Sequence, residues 1–161
     1  MTTVRVSLVD VYVLRPAGPA SVEVLALRRS TAGRCPGAWE TVHGHIEGQE
    51  GPVRAAVREL GEETGLEPLR LYNLSRVETF YRHLTDEVAL IPVFGAIVDE
   101  VATVTLSGEH DTHEWVTPDE AASRYTWPRE RRAIVEILEL IETGSAGAVD
   151  DVLAVSPSQW R

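Results

Sequence analysis

Apolar residues along the chain change their period several times, and each change predicts an element. Val4, Val6 and Leu8 alternate, and after a one-residue shift Val9, Val11 and Val13 alternate again, which predicts a buried strand. Pro16-Ala17-Gly18-Pro19 breaks it, and Val22, Val24 and Ala26 predict a second strand that completes a hairpin. Ser30 to Gly37 is rich in Gly, Pro and small polar residues and reads as a loop, followed by a short strand from Trp39 to His43. The period then becomes helical. Val53, Ala56, Val57 and Leu60 recur at i, i+3, i+4 and i+7 and form one apolar stripe between Gly51 and Thr64. Pro52 suits the first turn, where its missing N–H is not needed, and Gly65 suits the C-cap.

Alternation returns over Leu69–His83 and Val88–Val98, joined around Thr85-Asp86-Glu87, and over Thr112–Val116. Thr117-Pro118-Asp119-Glu120 carries a capping pattern that opens a helix. A further helix spans Pro128 to Ile141, with Ile134, Ile137, Leu138 and Ile141 on one face. Strands, a helix, more strands and then helices predict an α+β or α/β sandwich. From Thr143 to Arg161 the chain is small and polar, a tail expected to dock or fray, and its Trp160 is a candidate homodimer contact.

A chain of 161 residues fits one domain with a sizeable core. Its formal net charge is -10, and all 15 of its Lys and Arg positions are arginine. Lysine-dependent Schiff-base and Walker-type phosphoryl chemistry are therefore excluded. So acidic a protein is not expected to take a nucleic acid polymer or an anionic membrane as partner, since both need a basic surface. No apolar run approaches the roughly 18 residues of a membrane helix, and the N-terminus lacks the pattern of a secretory signal. With Cys35 alone no intrachain disulfide forms, and a cytoplasmic location is the expectation. Nine acids and no arginine lie between His83 and Ser123, so the acidity is unevenly placed.

Glu59, Glu62 and Glu63 stand at i, i+3 and i+4, so a helix gathers them on one side, beside the apolar stripe. Such carboxylates repel one another unless they are solvated or share a cation. A hard divalent ion, Mg²⁺ or Mn²⁺, takes oxygen ligands and keeps room for substrate phosphates. Gly44 and Gly48 bracket the loop that enters this helix, with Glu47 and Glu50 nearby. Arg58, four residues before Glu62, can reach Glu50 and partly neutralise the cluster. The five histidines show no metal-ligand spacing with cysteine.

Gly44, five residues, Glu50, seven residues, then Arg58-Glu59-Leu60, Glu62-Glu63 and Gly65-Leu66 resembles the Nudix box at every defined position. The resemblance implies a Nudix-type α/β/α sandwich with a mixed sheet in a domain spanning residues 1–143, followed by the tail 144–161. It implies hydrolysis of a nucleotide-like pyrophosphate by water attack on phosphorus, assisted by Mg²⁺ or Mn²⁺. Glu59, Glu62, Glu63 and the Gly44 carbonyl would hold metal, a glutamate would act as base, and Arg58 with Glu50 would fix the loop, with Gly65 closing the box.

Phe80-Tyr81-Arg82-His83, Glu109-His110, Glu114-Trp115 and Trp127 resemble the dihydroneopterin triphosphate and dATP pyrophosphohydrolase branch. That resemblance adds Glu109 to the metal set and makes a nucleoside or pterin triphosphate the expected substrate. Arg28, Trp39 and Tyr81 are candidate substrate contacts, because arginine grips phosphates and aromatic faces stack bases. Trp39 and Trp127 fit packing roles equally. Tyr81, 16 residues past Gly65, keeps a dinucleoside polyphosphate open as an alternative, beside other nucleoside diphosphates linked to a further moiety. A non-catalytic nucleotide-binding module is the alternative of another class, and the complete set of box carboxylates counts against it.

Overall fold

A computed structural model describes residues 1–141 and 144–161. The expected domain boundary at Thr143 lies outside the described residues. A mixed sheet forms the middle layer. Its strands are β1 (Thr3–Val6), β2 (Leu8–Pro16), β3 (Val22–Arg29), β4 (Trp39–Glu40), β5 (Val42–His45), β6 (Arg70–Arg82), β7 (Glu87–Ile97), β8 (His110–Val116) and β9 (Ala154–Val155). The main path runs β4-β3-β2-β7-β6-β9, with β1 on β7, β5 on β2 and β8 on β3. Helix α1 (Pro52–Thr64) covers one face, and α2 (Pro118–Arg124) and α3 (Pro128–Leu140) cover the other. The result is the α/β/α sandwich with a mixed sheet that the sequence predicts.

Strand alternation divides the core in two. Val9, Val11, Val13, Leu25 and Leu27 meet Ala55, Ala56 and Leu60 of α1. Tyr12, Leu14, Val24 and Ala26 meet Ala133, Ile134 and Ile137 of α3. Gly65 ends α1 in the left-handed region at φ 69°, with its N–H donating to the Gly61 carbonyl. Thr117 caps α2 reciprocally with Glu120.

The single amino-terminal strand read from the sequence is two strands. β1 and β2 both run parallel to β7, facing Glu87–Leu90 and Val93–Ile97 in turn, and part at Ser7. Val4 and Val6 are exposed, against the expectation of burial, because this part of the sheet extends beyond the helices. The strand read as Trp39–His43 also divides, at buried Thr41, whose hydroxyl donates to the Val11 carbonyl.

The described part of the tail is docked. Short helix α4 (Asp150–Leu153) leads into β9, which pairs with Leu71 and Tyr72 at the edge of β6. The Asp150 carboxylate accepts from Arg70 Nη2 (3.0 Å), Tyr72 Oη (2.9 Å) and the Ala146 N–H (3.2 Å). No helix among the described residues is long and apolar enough to cross a membrane.

Candidate active site

Helix α1 carries its carboxylates on two levels. Glu59 and Glu63 are buried, whereas the Glu62 side chain is 60% exposed. Glu59 lies against the β5 backbone at Gly44, where an added methyl would stand 1.9 Å from the Glu59 carboxyl carbon. Any side chain at position 44 would have to displace the Glu59 carboxylate from this place.

Arg58 is the hub of the outer level. Its guanidinium donates to Glu50 (2.6 Å), Glu59 (2.9 Å), Glu62 (3.0 Å) and the His45 carbonyl (2.7 Å). Hydrogen bonds to Glu50 and then Glu59 push its pKa up, and Arg58 in turn holds Glu50 below the usual carboxylate range. The glycine loop is thus tied to the helix by one arginine, the arrangement expected of Arg58 with Glu50.

Glu63 has no such partner. Burial pushes its pKa up to about 9, helped by the negative charges of Glu59, Glu109 and Glu40 and opposed by the His43 backbone N–H. Burial also raises Glu59, with Arg58 opposing. One Glu63 oxygen, Oε2, is buried without a hydrogen bond and faces His110 Nδ1, equally unsatisfied, at 3.8 Å.

Beyond α1, the structure brings in residues that the sequence reading missed. Glu40 on β4 accepts from Arg29 (2.9 Å) and pairs with His110 Nε2 (3.1 Å). Burial opposes its charge, but hydrogen bonds from His110 and Arg29 outweigh burial and hold its pKa low. Arg29 also approaches Glu109 at 3.8 Å, and the Glu109 side chain is 60% exposed at the start of β8. Glu109 therefore borders the cluster.

The expected substrate contacts distribute differently. Arg28, one residue before Arg29, points to the other face of the sheet, where it pairs with Asp111 (2.8 Å) and lies over Trp39. Trp39 is half-buried against the α3 core and flanked on another side by Arg124. Tyr81 is not brought to the carboxylates; it is exposed and donates to Asp86 in its own hairpin. Its neighbour Phe80 meets Trp127 edge-on, at 6.3 Å between ring centroids, and the Trp127 indole approaches Glu40.

The donor set is dominated by carboxylate oxygens, with the His110 imidazole at its edge, which suits a hard divalent cation better than zinc. The crowding of Glu59 and Glu63 and the orphaned Glu63 oxygen are what such a cation would relieve. As the side chains stand, no group of three or more His, Cys, Asp or Glu among the described residues is gathered closely enough to hold a metal. Glu59 and Glu62 are instead both paired with Arg58.

An oxygen-rich acidic centre on a helix flank, beside a glycine loop in an α/β/α sandwich, defines the class. The chain belongs to the NUDIX family, whose domain model matches residues 4–137. It is 34% identical over 123 residues to a Myxococcus xanthus octanoyltransferase, covering 72% of this chain and 32% of that protein. It is 32% identical over 85 residues to the asymmetrical bis(5'-nucleosyl)-tetraphosphatase of Rattus norvegicus, covering 52% of this chain and 58% of that protein. The chain thus spans about a third and somewhat over half of these relatives' lengths. In fold it is similar to a C. elegans Ap4A hydrolase (TM-score 0.68, 22% identity, 82% of this chain and 94% of that one). It is likewise similar to the E. coli dihydroneopterin triphosphate pyrophosphohydrolase (TM-score 0.66, 21% identity, 86% and 99%).

Proposed function

We propose that the protein is a divalent-metal-dependent pyrophosphohydrolase that cleaves a nucleoside or pterin triphosphate to a monophosphate and pyrophosphate. The observation that carries this reading is the buried pair Glu59 and Glu63, with Glu59 against Gly44 and Glu63 left without a cation and with one carboxylate oxygen unsatisfied. Glu59, Glu62, Glu63, Glu109 and the Gly44 carbonyl would hold Mg²⁺ or Mn²⁺. When bound, the ion would neutralise phosphate charge and lower the pKa of water.

The chain's own groups do the rest. Arg58 keeps the loop and helix in register through Glu50 and the His45 carbonyl. Arg29, steadied by Glu40, presents positive charge beside Glu109 and can meet a phosphate oxygen. A water oxygen attacks phosphorus, the bridging P–O bond breaks with its electrons going to the leaving pyrophosphate, and a carboxylate of the cluster takes the water proton. Trp39 and Arg28 stand on the opposite face of the sheet, and their substrate role requires a ligand that reaches around its edge. The similarity to the rat tetraphosphatase favours a dinucleoside polyphosphate as the second reading.

A panel of nucleoside triphosphates, dihydroneopterin triphosphate, dinucleoside polyphosphates and sugar nucleotides, assayed for phosphate products with Mg²⁺ or Mn²⁺, tests the proposal. Pyrophosphate release from a triphosphate is the expected result. No turnover of any member would favour the non-catalytic binding module.

A further inference from the structure

The docked tail does more than cover a sheet edge. After β9, Ser156 and Gln159 cap a single 3-10 turn at Pro157–Gln159, which swings the chain onto the outer flank of α1. Val155 and Trp160 then pack against the core on the α1 face, while Leu153 and Ala146 are buried in the core on the α3 face. The tail thus wraps around the β6 edge from one core to the other, latched on the α3 side by Asp150 on Arg70 and Tyr72.

Between tail and helix lies a cavity of about 480 Å³, within the roughly 300–1,000 Å³ range of small-ligand sites. Val57, Leu66 and Pro68 contribute apolar lining, Trp160 and Arg161 line it from the tail, and Glu67 supplies an acceptor. It shares Arg58 and Glu62 with the carboxylate centre, so a ligand lying here reaches the flank of α1 that bears the box. None of the features that define the family's motif accounts for Trp160, Arg161 or Glu67.

We propose that this cavity binds the planar, amino-substituted heterocycle of a phosphorylated ligand, stacked on Trp160. An indole stacks any base, apolar lining accepts the ring, and a carboxylate takes hydrogen bonds from exocyclic amino groups. Arg161 offers positive charge to the ligand's phosphate end. The inference rests on the pyrophosphohydrolase reading for its link to the chemistry, and it gives the heterocyclic half of that substrate a place.

The probes are AMP and GMP with Mg²⁺, which carry no pyrophosphate bond, so the result does not depend on whether hydrolysis occurs. The chain has 4 tryptophans, whose indole N–H signals can be followed by NMR and the Trp160 signal assigned with the Trp160→Phe variant. A saturable shift of the Trp160 signal is expected. Trp160→Ala should raise the dissociation constant about tenfold, and Trp160→Phe should keep it within about threefold, since a phenyl ring still stacks. Thermal melting of both variants separates lost stacking from lost folding. Shifts confined to Trp39, Trp115 or Trp127, or no shift with either nucleotide, would overturn the assignment.

Discussion

Two acidic clusters are buried on opposite faces of the same sheet, and they solve the problem of charge differently. On the α3 face, Asp10 and Glu130 are fully buried with Arg129 beside them, 3.3 Å from Asp10 and 3.6 Å from Glu130. Asp10 also takes a 2.5 Å hydrogen bond from His43 Nδ1. Burial, reinforced by the charge of Asp10 and opposed by Arg129, pushes the pKa of Glu130 up. This cluster brings its own cation. On the α1 face, Arg58 and Arg29 serve Glu50, Glu59, Glu62 and Glu40, while Glu63 is left without one. Orphaned polar atoms occur in both clusters, at Asp10 Oδ2, Arg129 Nε and both Glu130 oxygens on the α3 face and at Glu63 Oε2 on the α1 face. The α3 cluster is sealed with a cation inside it, whereas the α1 cluster opens through the exposed side chains of Glu62 and Glu109, where the proposed ion would enter.

The largest expected effect separates the two clusters by activity. Glu62→Gln or Glu63→Gln should lower kcat by at least about 100-fold with the fold retained, measured by steady-state kinetics and circular dichroism. Near-wild-type turnover in both variants would erase the distinction. Next comes stability. Arg129→Met removes the internal cation and strands Asp10 in the core, so it should cost about 3–5 kcal/mol in urea unfolding, well above what Glu63→Gln costs.

The pH dependence sharpens the contrast. A carboxyl whose pKa the fold raises stabilises the folded state while protonated. The Glu63 contribution is therefore fully present below the ordinary carboxylate range and is lost as pH rises toward about 9. A bound divalent ion reverses this, since it favours the ionised form and releases protons on binding. Saturating Mg²⁺ should raise Tm by about 5–10 °C at pH 8 and by clearly less at pH 5, followed by scanning calorimetry. The smallest effect belongs to neither cluster: Thr117→Ala, which removes the α2 cap, should cost about 1 kcal/mol and leave kcat unchanged.

Much of the α1 side was legible in the sequence because it is local. The stripe Val53, Ala56, Val57, Leu60 and the trio Glu59, Glu62, Glu63 are fixed by helical period alone, and the Arg58–Glu50 tie follows from a loop of known length. The α3 cluster was not legible. Asp10 on β2 and Arg129 on α3 lie 119 residues apart and meet through packing of the helix on the sheet, which no period encodes. The same holds for Arg28 and Arg29. Alternation says that they face opposite ways, but only the pairing of β3 with β4 and β8 decides which one meets Glu40 and His110. The break at Thr41 turns on a hydroxyl bond to a neighbouring strand. Tail docking likewise depends on Asp150 finding Arg70 and Tyr72 across 80 and 78 residues.

The central claim is that the α1 cluster, and not the α3 cluster, is completed by a metal ion. Mn²⁺ binding by calorimetry, on wild type, Glu63→Gln and Glu130→Gln, tests it most directly. The account predicts saturable binding that weakens at least about tenfold in Glu63→Gln and is unchanged in Glu130→Gln. Equal binding in all three proteins, or loss in Glu130→Gln alone, would contradict it.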